Sequence, residues 1–274
     1  MPARPGVARG VAAKGVVSKG FASKGFASKG LFIAGTDTGV GKTLIACALL
    51  RGFAARGLRV VAMKPVAAGA VRRRGVWHND DVVQLRAAAN VDAPLALVNP
   101  YCFAPPIAPH IAAQTAGVTI RMAVIEKNYA RLGRNADLVV VEGAGGLLVP
   151  LGRRLNAVDI PARLDLPVVL VVGLRLGCLN HALLTVEALQ ARGLYLAGWV
   201  ANRIDPAMAR VTENLQALRA RIKAPLLGTV RHVQNPQPAR VARMLDISLL
   251  NAQLDARPDA RLDEWLRTRP DRRR

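Results

Sequence analysis

The sequence is poor in aromatic residues, acids and cysteines. Only 4% of its 274 residues are Phe, Trp or Tyr, which argues against a surface that stacks on nucleic-acid bases. The three cysteines, Cys47, Cys102 and Cys178, are an odd number without regular spacing, so neither a disulfide framework nor a zinc site is expected. No apolar run approaches the ~20 residues of a membrane-spanning helix. We therefore expect a cytoplasmic protein that binds neither membranes nor nucleic acid.

The scarcity of acids leaves a strongly basic chain. The net charge is +21, from 39 Lys and Arg against 18 Asp and Glu. Residues 1–30 contribute +6 and residues 251–274 contribute +2, which leaves +13 for residues 31–250. A basic body suits anionic ligands such as nucleotides.

Both ends of the chain differ in composition from its middle. Residues 1–30 repeat a five-residue pattern, as in Phe21-Ala22-Ser23-Lys24-Gly25, and contain no acid. A glycine in every fifth position and few large apolar side chains predict a disordered basic extension, although a transit peptide has a similar composition. Residues 251–274 form an Arg-rich C-terminal tail or a final helix.

The middle of the chain, residues 31–250, alternates between apolar strands and helical segments. The predicted strands are 31–34, 59–63, 137–141, 167–172, 197–201 and 225–230. The predicted helices are 42–55, 80–89, 119–132, 179–191, 207–221 and 239–250. Strands that are apolar on both faces are typical of a parallel sheet covered by helices on either side. We therefore expect one α/β domain with a doubly wound, mostly parallel sheet.

A glycine-rich loop joins the first predicted strand to the first helix. It reads Gly35-Thr36-Asp37-Thr38-Gly39-Val40-Gly41-Lys42-Thr43. Backbone N–H groups of such a loop converge on phosphate oxygens, and the helix dipole adds positive potential. Lys42 is expected to reach the β- and γ-phosphates, and Thr43 to ligate Mg²⁺. The loop predicts a fold of the P-loop NTPase type, with these nucleotide-binding residues: Thr38, Gly39, Val40, Gly41, Lys42 and Thr43.

Charged residues also follow two other predicted strands. Lys64 follows the second strand and Glu142 the third. Open α/β sheets bind ligands at the carboxyl ends of their strands, so both side chains are expected near the phosphates. Asp80 and Asp81 begin the next helix, where each is also a good capping residue.

A further strand-to-helix turn lies at Gly177-Cys178-Leu179-Asn180-His181. The N–H groups at such a helix start suit a carboxylate. The same sequence also fits an ordinary connection.

Together and in this order, these elements resemble the dethiobiotin synthetases. The resemblance covers residues 31–236. Further matching segments are Lys64-Pro65-Val66-Ala67, Asn99-Pro100-Tyr101, Pro109-His110, 141–146, 176–181 and Gly198-Trp199-Val200-Ala201-Asn202. The segments 176–181 and 198–202 are the most specific to the family.

The resemblance implies an activity, substrates and cofactors. Members of the family use ATP and Mg²⁺ to carboxylate 7,8-diaminopelargonate with CO2 (from bicarbonate) and to close the ureido ring of dethiobiotin. The path runs through a carbamate and a carbamic-phosphoric anhydride, and it releases ADP and phosphate. The family also implies a homodimer in which the neighbouring subunit completes the substrate site.

The same resemblance assigns roles to single residues. Lys42 and Lys64 are the implied catalytic cations, and Thr43, Asp81 and Glu142 the implied Mg²⁺ ligands. Glu142 also belongs to the nucleotide site, together with Asn202, which reads adenine. The implied substrate-binding residues are Lys64, Ala68, Gly145, Arg175, Gly177, Cys178, Leu179 and Asn180. Ala68 departs from the family, which often has Ser or Thr there, so one hydroxyl hydrogen bond is absent.

A partition- or septum-positioning ATPase that binds DNA or a membrane is the alternative. Its loop carries a signature lysine five residues before the invariant lysine, and this chain has Asp37 there. The basic composition of the chain is the only feature that supports this alternative.

A guanine-reading motif is superficially present in Asn202-Arg203-Ile204-Asp205. Asp205 directly precedes Pro206, and we expect it to cap a helix that begins at Ala207. ATP is therefore expected rather than GTP.

Overall fold

The part of the chain that the structure describes has ten named strands and nine named helices. The structure is a computed structural model, and it describes residues 29–250. The strands, numbered β1 to β10 in chain order, are Lys29–Gly35, Val60–Met63, Val66–Ala68, Val71–Arg73, Val76–His78, Tyr101–Phe103, Leu138–Glu142, Val168–Leu174, Leu196–Arg203 and Leu226–Val230. The helices, α1 to α9, are Lys42–Ala54, Asp80–Ala88, Leu95–Val98, Pro109–Thr115, Met122–Gly133, Asp159–Leu164, Cys178–Ala191, Val211–Arg221 and Pro238–Ala242.

Six of the strands form one sheet in the order β10-β9-β8-β1-β7-β2. Every neighbouring pair in this sheet is parallel. Strand β1 therefore lies in the middle, with β7 on one side and β8 on the other. The carboxyl ends of these three strands lie at the same edge of the sheet, which brings the loops that follow them together.

The sheet is covered on both faces. In β1, Leu31 and Ile33 pack into a core shared with α1, α2 and α9. Phe32 and Ala34 point the other way, into a core shared with α5, α6, α7 and α8. Because successive side chains of a strand alternate between faces, the continuous apolar sequence of β1 serves both cores. The predicted doubly wound α/β fold of the P-loop NTPase type is confirmed.

Four short strands, β3 to β6, were not predicted from the sequence. Strands β3 and β6 form a small parallel pair, and β4 and β5 form an exposed hairpin whose turn contains Arg74 and Gly75 at positive φ. Elements of three residues are too short to show a hydrophobic period.

Two helices differ most from their predicted bounds. Helix α9 ends at Ala242, and α8 begins at Val211. The expectation that Asp205 caps a helix from Ala207 is wrong, because the helix begins only at Val211. The Asp205 carboxylate instead accepts a hydrogen bond from the Ala207 N–H (2.8 Å) within a turn. This geometry is an Asx-turn, which a residue before proline readily forms.

The bounds of the predicted domain, 31–250, remain a prediction. Strand β1 begins at Lys29, two residues before the predicted domain 31–250. The rest of the predicted extension 1–30 and the whole tail 251–274 lie outside the described residues. No helix within residues 29–250 is both long and apolar enough to cross a membrane.

The last described segment packs against the edge strand β10. Asp246 donates its N–H to the Leu227 carbonyl at 2.7 Å. A Cβ atom on Gly228 would come within 2.3 Å of the Met244 carbonyl oxygen. Since that oxygen belongs to the backbone, it cannot rotate away.

We expect Gly228→Ala to lower the free energy of unfolding by about 1–3 kcal/mol, the usual cost of overpacking. Gly152→Ala is the matched control, because the nearest atom to its Cβ would be Leu155 Cβ at 3.9 Å, and a change within about 0.5 kcal/mol is expected there. Urea unfolding measures both. Equal unfolding midpoints for the two variants would contradict the contact.

Candidate functional site

The loop between β1 and α1 is shaped to bind an anion. Gly41 is the N-cap of α1 and has a φ of 90°, a conformation that side chains rarely adopt. Within α1, no side chain caps the first turn and no acidic residue lies in it. The N–H groups of this turn therefore lack the usual internal acceptors, and the helix dipole adds positive potential to them.

Lys42 lies inside this loop rather than in solvent. It is 7% exposed, and its ammonium donates a hydrogen bond to the Asp37 carbonyl at 2.9 Å. Gly35 makes room for its stem, because a Cβ there would lie 3.0 Å from Lys42 Cδ. The lysine is thus held at the centre of the loop, where phosphates would bind.

Four elements bring charged and hydroxyl side chains together beside the loop. The Lys64 ammonium, at the end of β2, lies 2.5 Å from Glu142 Oε1 and 2.9 Å from Asp81 Oδ2. The Thr43 hydroxyl in α1 donates to the same Glu142 Oε1 at 2.9 Å. Lys64 and Glu142 are 4% and 1% exposed. Such a buried ion pair is stable only because each charge has a partner.

The mutual charges set the protonation states in this cluster. Burial alone would lower the pKa of Lys64, but Glu142 and Asp81 together outweigh it and raise this pKa above its ordinary value. Burial would raise the pKa of Asp81, but the charge and hydrogen bond of Lys64 hold it below its usual range. Lys42 differs, because burial and the neighbouring Lys64 charge lower its pKa to about 8.

Two buried amides hold these side chains in place. Asn99 donates to the Lys64 carbonyl at 2.6 Å and to the Tyr101 carbonyl at 3.1 Å. Asn79 is the N-cap of α2, accepting from the Val82 N–H, and its amide donates to the Ala68 carbonyl at 3.1 Å. The capping role considered for Asp80 and Asp81 therefore belongs to Asn79.

The side chains present fit a magnesium ion. Glu142 Oε2 is buried and has no hydrogen-bond partner, so one carboxylate oxygen is left for a cation. Residues 29–250 contain no group of three or more His, Cys, Asp or Glu side chains that could hold a metal. Mg²⁺ commonly takes one or two carboxylates, with water and phosphate oxygens as the other ligands. Thr43, Asp81 and Glu142 match that pattern.

Two more of the expected residues contact the phosphate loop. Asn202, at the end of β9, donates its side-chain amide to the Val40 carbonyl at 2.8 Å. Gly145, which follows β7, lies beside the loop, because a Cβ there would be 3.4 Å from Thr38 Oγ1. The adenine-reading role of Asn202 remains a prediction, and its contact with the loop was not foreseen.

The turn before α7 is joined to the phosphate loop by an ion pair. Arg175, expected to bind substrate, contacts the Asp37 carboxylate. Leu176 at the tip of the turn is 95% exposed, and Asn180 is exposed as well. Cys178 is 3% exposed, its side chain packs into the core, and its N–H donates to the Arg175 carbonyl at 3.0 Å. Its side chain therefore does not face the surface of the turn.

Comparison with known proteins identifies the family. A family model described as an AAA domain matches residues 29–240. The ATP-dependent dethiobiotin synthetase BioD of Aromatoleum aromaticum is 58% identical over 214 residues, which are 78% of this chain and 95% of that protein. The chain belongs to the dethiobiotin synthetase family. This membership sets aside the alternative of a partition- or septum-positioning ATPase.

The solved structures that resemble this fold have a much lower sequence identity to the chain. The septum site-determining protein MinD of Pyrococcus horikoshii is 14% identical, with 83% of this chain and 93% of that chain covered and a TM-score of 0.49. Cobyrinic acid a,c-diamide synthase of Mycobacterium smegmatis is 15% identical, with 88% and 97% covered and a TM-score of 0.49.

Most of the residues expected from the family resemblance thus fall into two groups, and Ala68 lies apart from both in β3. One group lies together around the phosphate loop: Lys42, Thr43, Lys64, Asp81, Glu142, Gly145 and Asn202. The other group, Gly177 to Asn180, joins the loop through Arg175 and Asp37. The positioning amides Asn79 and Asn99 were missed, although Asn99 lies in a segment that matches the family.

The lowered pKa of Lys42 predicts proton uptake when phosphates bind. At about pH 9 most of the free protein holds Lys42 neutral, whereas a bound phosphate favours its charged form. Binding of ADP in EDTA should therefore take up close to one proton at about pH 9 and almost none at about pH 7, and affinity should fall as the pH rises through 8.

Calorimetry in buffers of different ionisation enthalpy measures this uptake, and EDTA removes any contribution from Mg²⁺. Lys42→Arg is the control, because a guanidinium stays charged at both values of pH. Equal proton uptake by the wild type at the two pH values would contradict the lowered pKa.

Proposed function

We propose that this chain carries out the ATP-dependent carboxylation and ring closure of 7,8-diaminopelargonate with CO2 to dethiobiotin, releasing ADP and phosphate. The observation that carries the proposal is the Lys64 ammonium, buried between Glu142 and Asp81 beside a phosphate loop, in a member of the dethiobiotin synthetase family. A buried cation next to a phosphate site is what a reaction that accumulates negative charge needs.

ATP binds with its phosphates on the loop from Thr38 to Thr43. The exposed Thr38 and Gly39 form the outer part of the loop, and Lys42 lies within it. Thr43, Asp81 and Glu142 would hold Mg²⁺, which supplies neutralisation of the phosphate charge when it is bound. Lys64 contacts the same two carboxylates, so its charge offsets part of theirs.

The reaction runs in three steps, and each has a counterpart in the site. One amine of the substrate adds to CO2 and loses a proton, which gives a carbamate anion. A carbamate oxygen then forms a bond to the γ-phosphorus as the bond to ADP breaks. The second amine attacks the carbamate carbon, loses its proton and expels phosphate. Lys42 and Lys64 stabilise the negative charge that gathers before ring closure.

The substrate lies between the phosphate loop and a second subunit. Ala68 and Gly145 line the near side; Ala68 offers only a methyl group where a hydroxyl would bond the diamine. The turn from Gly177 to Asn180, in which Gly177 and Asn180 are exposed, would receive the carboxylate of the substrate that is bound in the partner subunit. The protein would therefore act as a homodimer. The cytoplasmic location and the absence of nucleic-acid and membrane partners remain predictions.

Phosphate release from ATP tests this function, measured with and without diaminopelargonate and bicarbonate. Lys42→Ala and Lys64→Ala should each lower the substrate-dependent rate by more than ~100-fold, because each removes a cation that stabilises the transition state. Lys127→Ala on the exposed side of α5 is the control and should keep wild-type activity. A wild type whose ATP hydrolysis ignores the diamine would refute the function.

Composite sites predict that two inactive variants can restore each other. In a hybrid dimer of Lys42→Ala and Asn180→Asp, one site receives both defects and the other receives none. Random subunit exchange should then recover about a quarter of wild-type activity, since half the dimers are hybrids with one intact site.

A mixture of Lys42→Ala and Lys64→Ala serves as the control for this exchange. Both defects affect the same side of a site, so each hybrid site keeps one defect and no activity returns. Failure of the first mixture, with subunit exchange verified by mass spectrometry, would argue against sites shared between subunits.

A further inference from the structure

The contact between Asn202 and Val40 joins the end of β9 to the phosphate loop. Asn202 is 6% exposed, and its amide nitrogen donates to the Val40 carbonyl at 2.8 Å across 162 residues of sequence. A buried backbone carbonyl that lost this donor would be left without a partner, which is costly in a protein interior. The hydrogen bond therefore holds the Val40 carbonyl of the loop in place.

The Val40 side chain is confined at the same point. It is 1% exposed and lies where two strand ends carry no side chain. A Cβ on Gly35 of β1 would be 2.8 Å from Val40 Cγ2, and a Cβ on Gly173 of β8 would be 2.8 Å from Val40 Cγ1. Three adjacent strands, β1, β8 and β9, thus fix the side chain and the carbonyl of one loop residue.

Gly41 follows Val40 in the phosphate loop, and its backbone is constrained by the same contact. Gly41 caps α1, and a Cβ there would lie 2.3 Å from the Asn202 amide nitrogen. The Val40 carbonyl and the Gly41 N–H belong to the same peptide plane. Fixing this carbonyl therefore fixes the direction in which the Gly41 N–H points, one residue before Lys42.

We propose that Asn202 is a positioning residue for the phosphates, acting through the Val40 carbonyl and independently of any contact with the base. The inference rests on the proposed function in taking the loop as the phosphate site. It adds to base recognition, for which the oxygen of the amide remains available. One side chain then links the base and the phosphates of the same nucleotide.

A phosphate ligand without a base separates the two roles. Inorganic tripolyphosphate has neither base nor ribose, so a residue that only reads adenine cannot affect its binding. Binding of tripolyphosphate with Mg²⁺ is measured by calorimetry on the full chain. Asn202→Ala removes the donor, and Asn202→Asp replaces it with an oxygen that repels the Val40 carbonyl.

We expect both variants to bind tripolyphosphate at least ~10-fold more weakly than the wild type, as for a buried acceptor that loses its donor. Asn214→Ala is the matched control, because the Asn214 amide also donates to a backbone carbonyl at 2.8 Å, but within α8. It should bind tripolyphosphate normally. Unchanged tripolyphosphate binding by both Asn202 variants, with weaker ATP binding, would overturn the inference.

Kinetics give a second measurement. Asn202→Asp keeps an oxygen that can accept from the adenine amino group. Misplaced phosphates should therefore lower kcat at least ~10-fold, in addition to any rise in the KM for ATP. A rise in KM with unchanged kcat would contradict positioning. If the wild type proved inactive with diaminopelargonate, the proposed function would fail, whereas the calorimetry would still decide the role of Asn202.

The wild-type protein offers a test that does not depend on folding of the variants. The side-chain amide resonance of Asn202 in selectively labelled protein should shift when tripolyphosphate binds, because the loop to which it is bonded holds the ligand. An unmoved resonance at saturating tripolyphosphate would also overturn the inference.

Discussion

The buried ammonium of Lys64 is the interaction on which the site depends. A lysine that is 4% exposed would be strongly destabilising alone, and the carboxylates of Glu142 and Asp81 compensate for it. The three residues come from β2, β7 and α2, so the order of strands in the sheet is what makes the pairing possible. The same pairing keeps Lys64 charged, which is the form that stabilises anions. The stability of the buried charge and the role that we propose for Lys64 therefore depend on the same contacts.

The parallel sheet converts this local chemistry into a defined geometry. Strand β7 lies between β1 and β2. Glu142 at the end of β7 and Lys64 directly after β2 therefore lie beside the phosphate loop. Asn99 and Asn79 then hold the backbone of Lys64 and Ala68 through buried hydrogen bonds. The reactive side chains thus project from strand ends and helix starts that both cores support. Such support limits the movement that would weaken electrostatic stabilisation.

The sheet and the glycine-rich loop with its neighbouring charges could be predicted from the sequence because both leave local patterns. Six apolar strands, the loop before Lys42 and the carboxylate after β7 can each be recognised without knowing the fold. The bond from Asn202 to Val40 and the pair of Arg175 with Asp37 could not be predicted, since each joins residues more than a hundred positions apart. Asn79 was not predicted as the N-cap of α2 for a related reason: Asn79, Asp80 and Asp81 are all good caps, and only the backbone angles distinguish them. Helix α8 was predicted too long because an Asx-turn and a helix start have similar sequences.

The close fit of Val40 against Gly35 and Gly173 has a thermodynamic consequence. A flexible loop would lose conformational entropy when it closed around a nucleotide, and that loss would subtract from affinity. Here the two glycines and Asn202 already hold the loop in one arrangement. For this part of the loop, the ordering cost is met when the chain folds, before a nucleotide binds. The absence of side chains at two strand ends thereby contributes to the strength of binding.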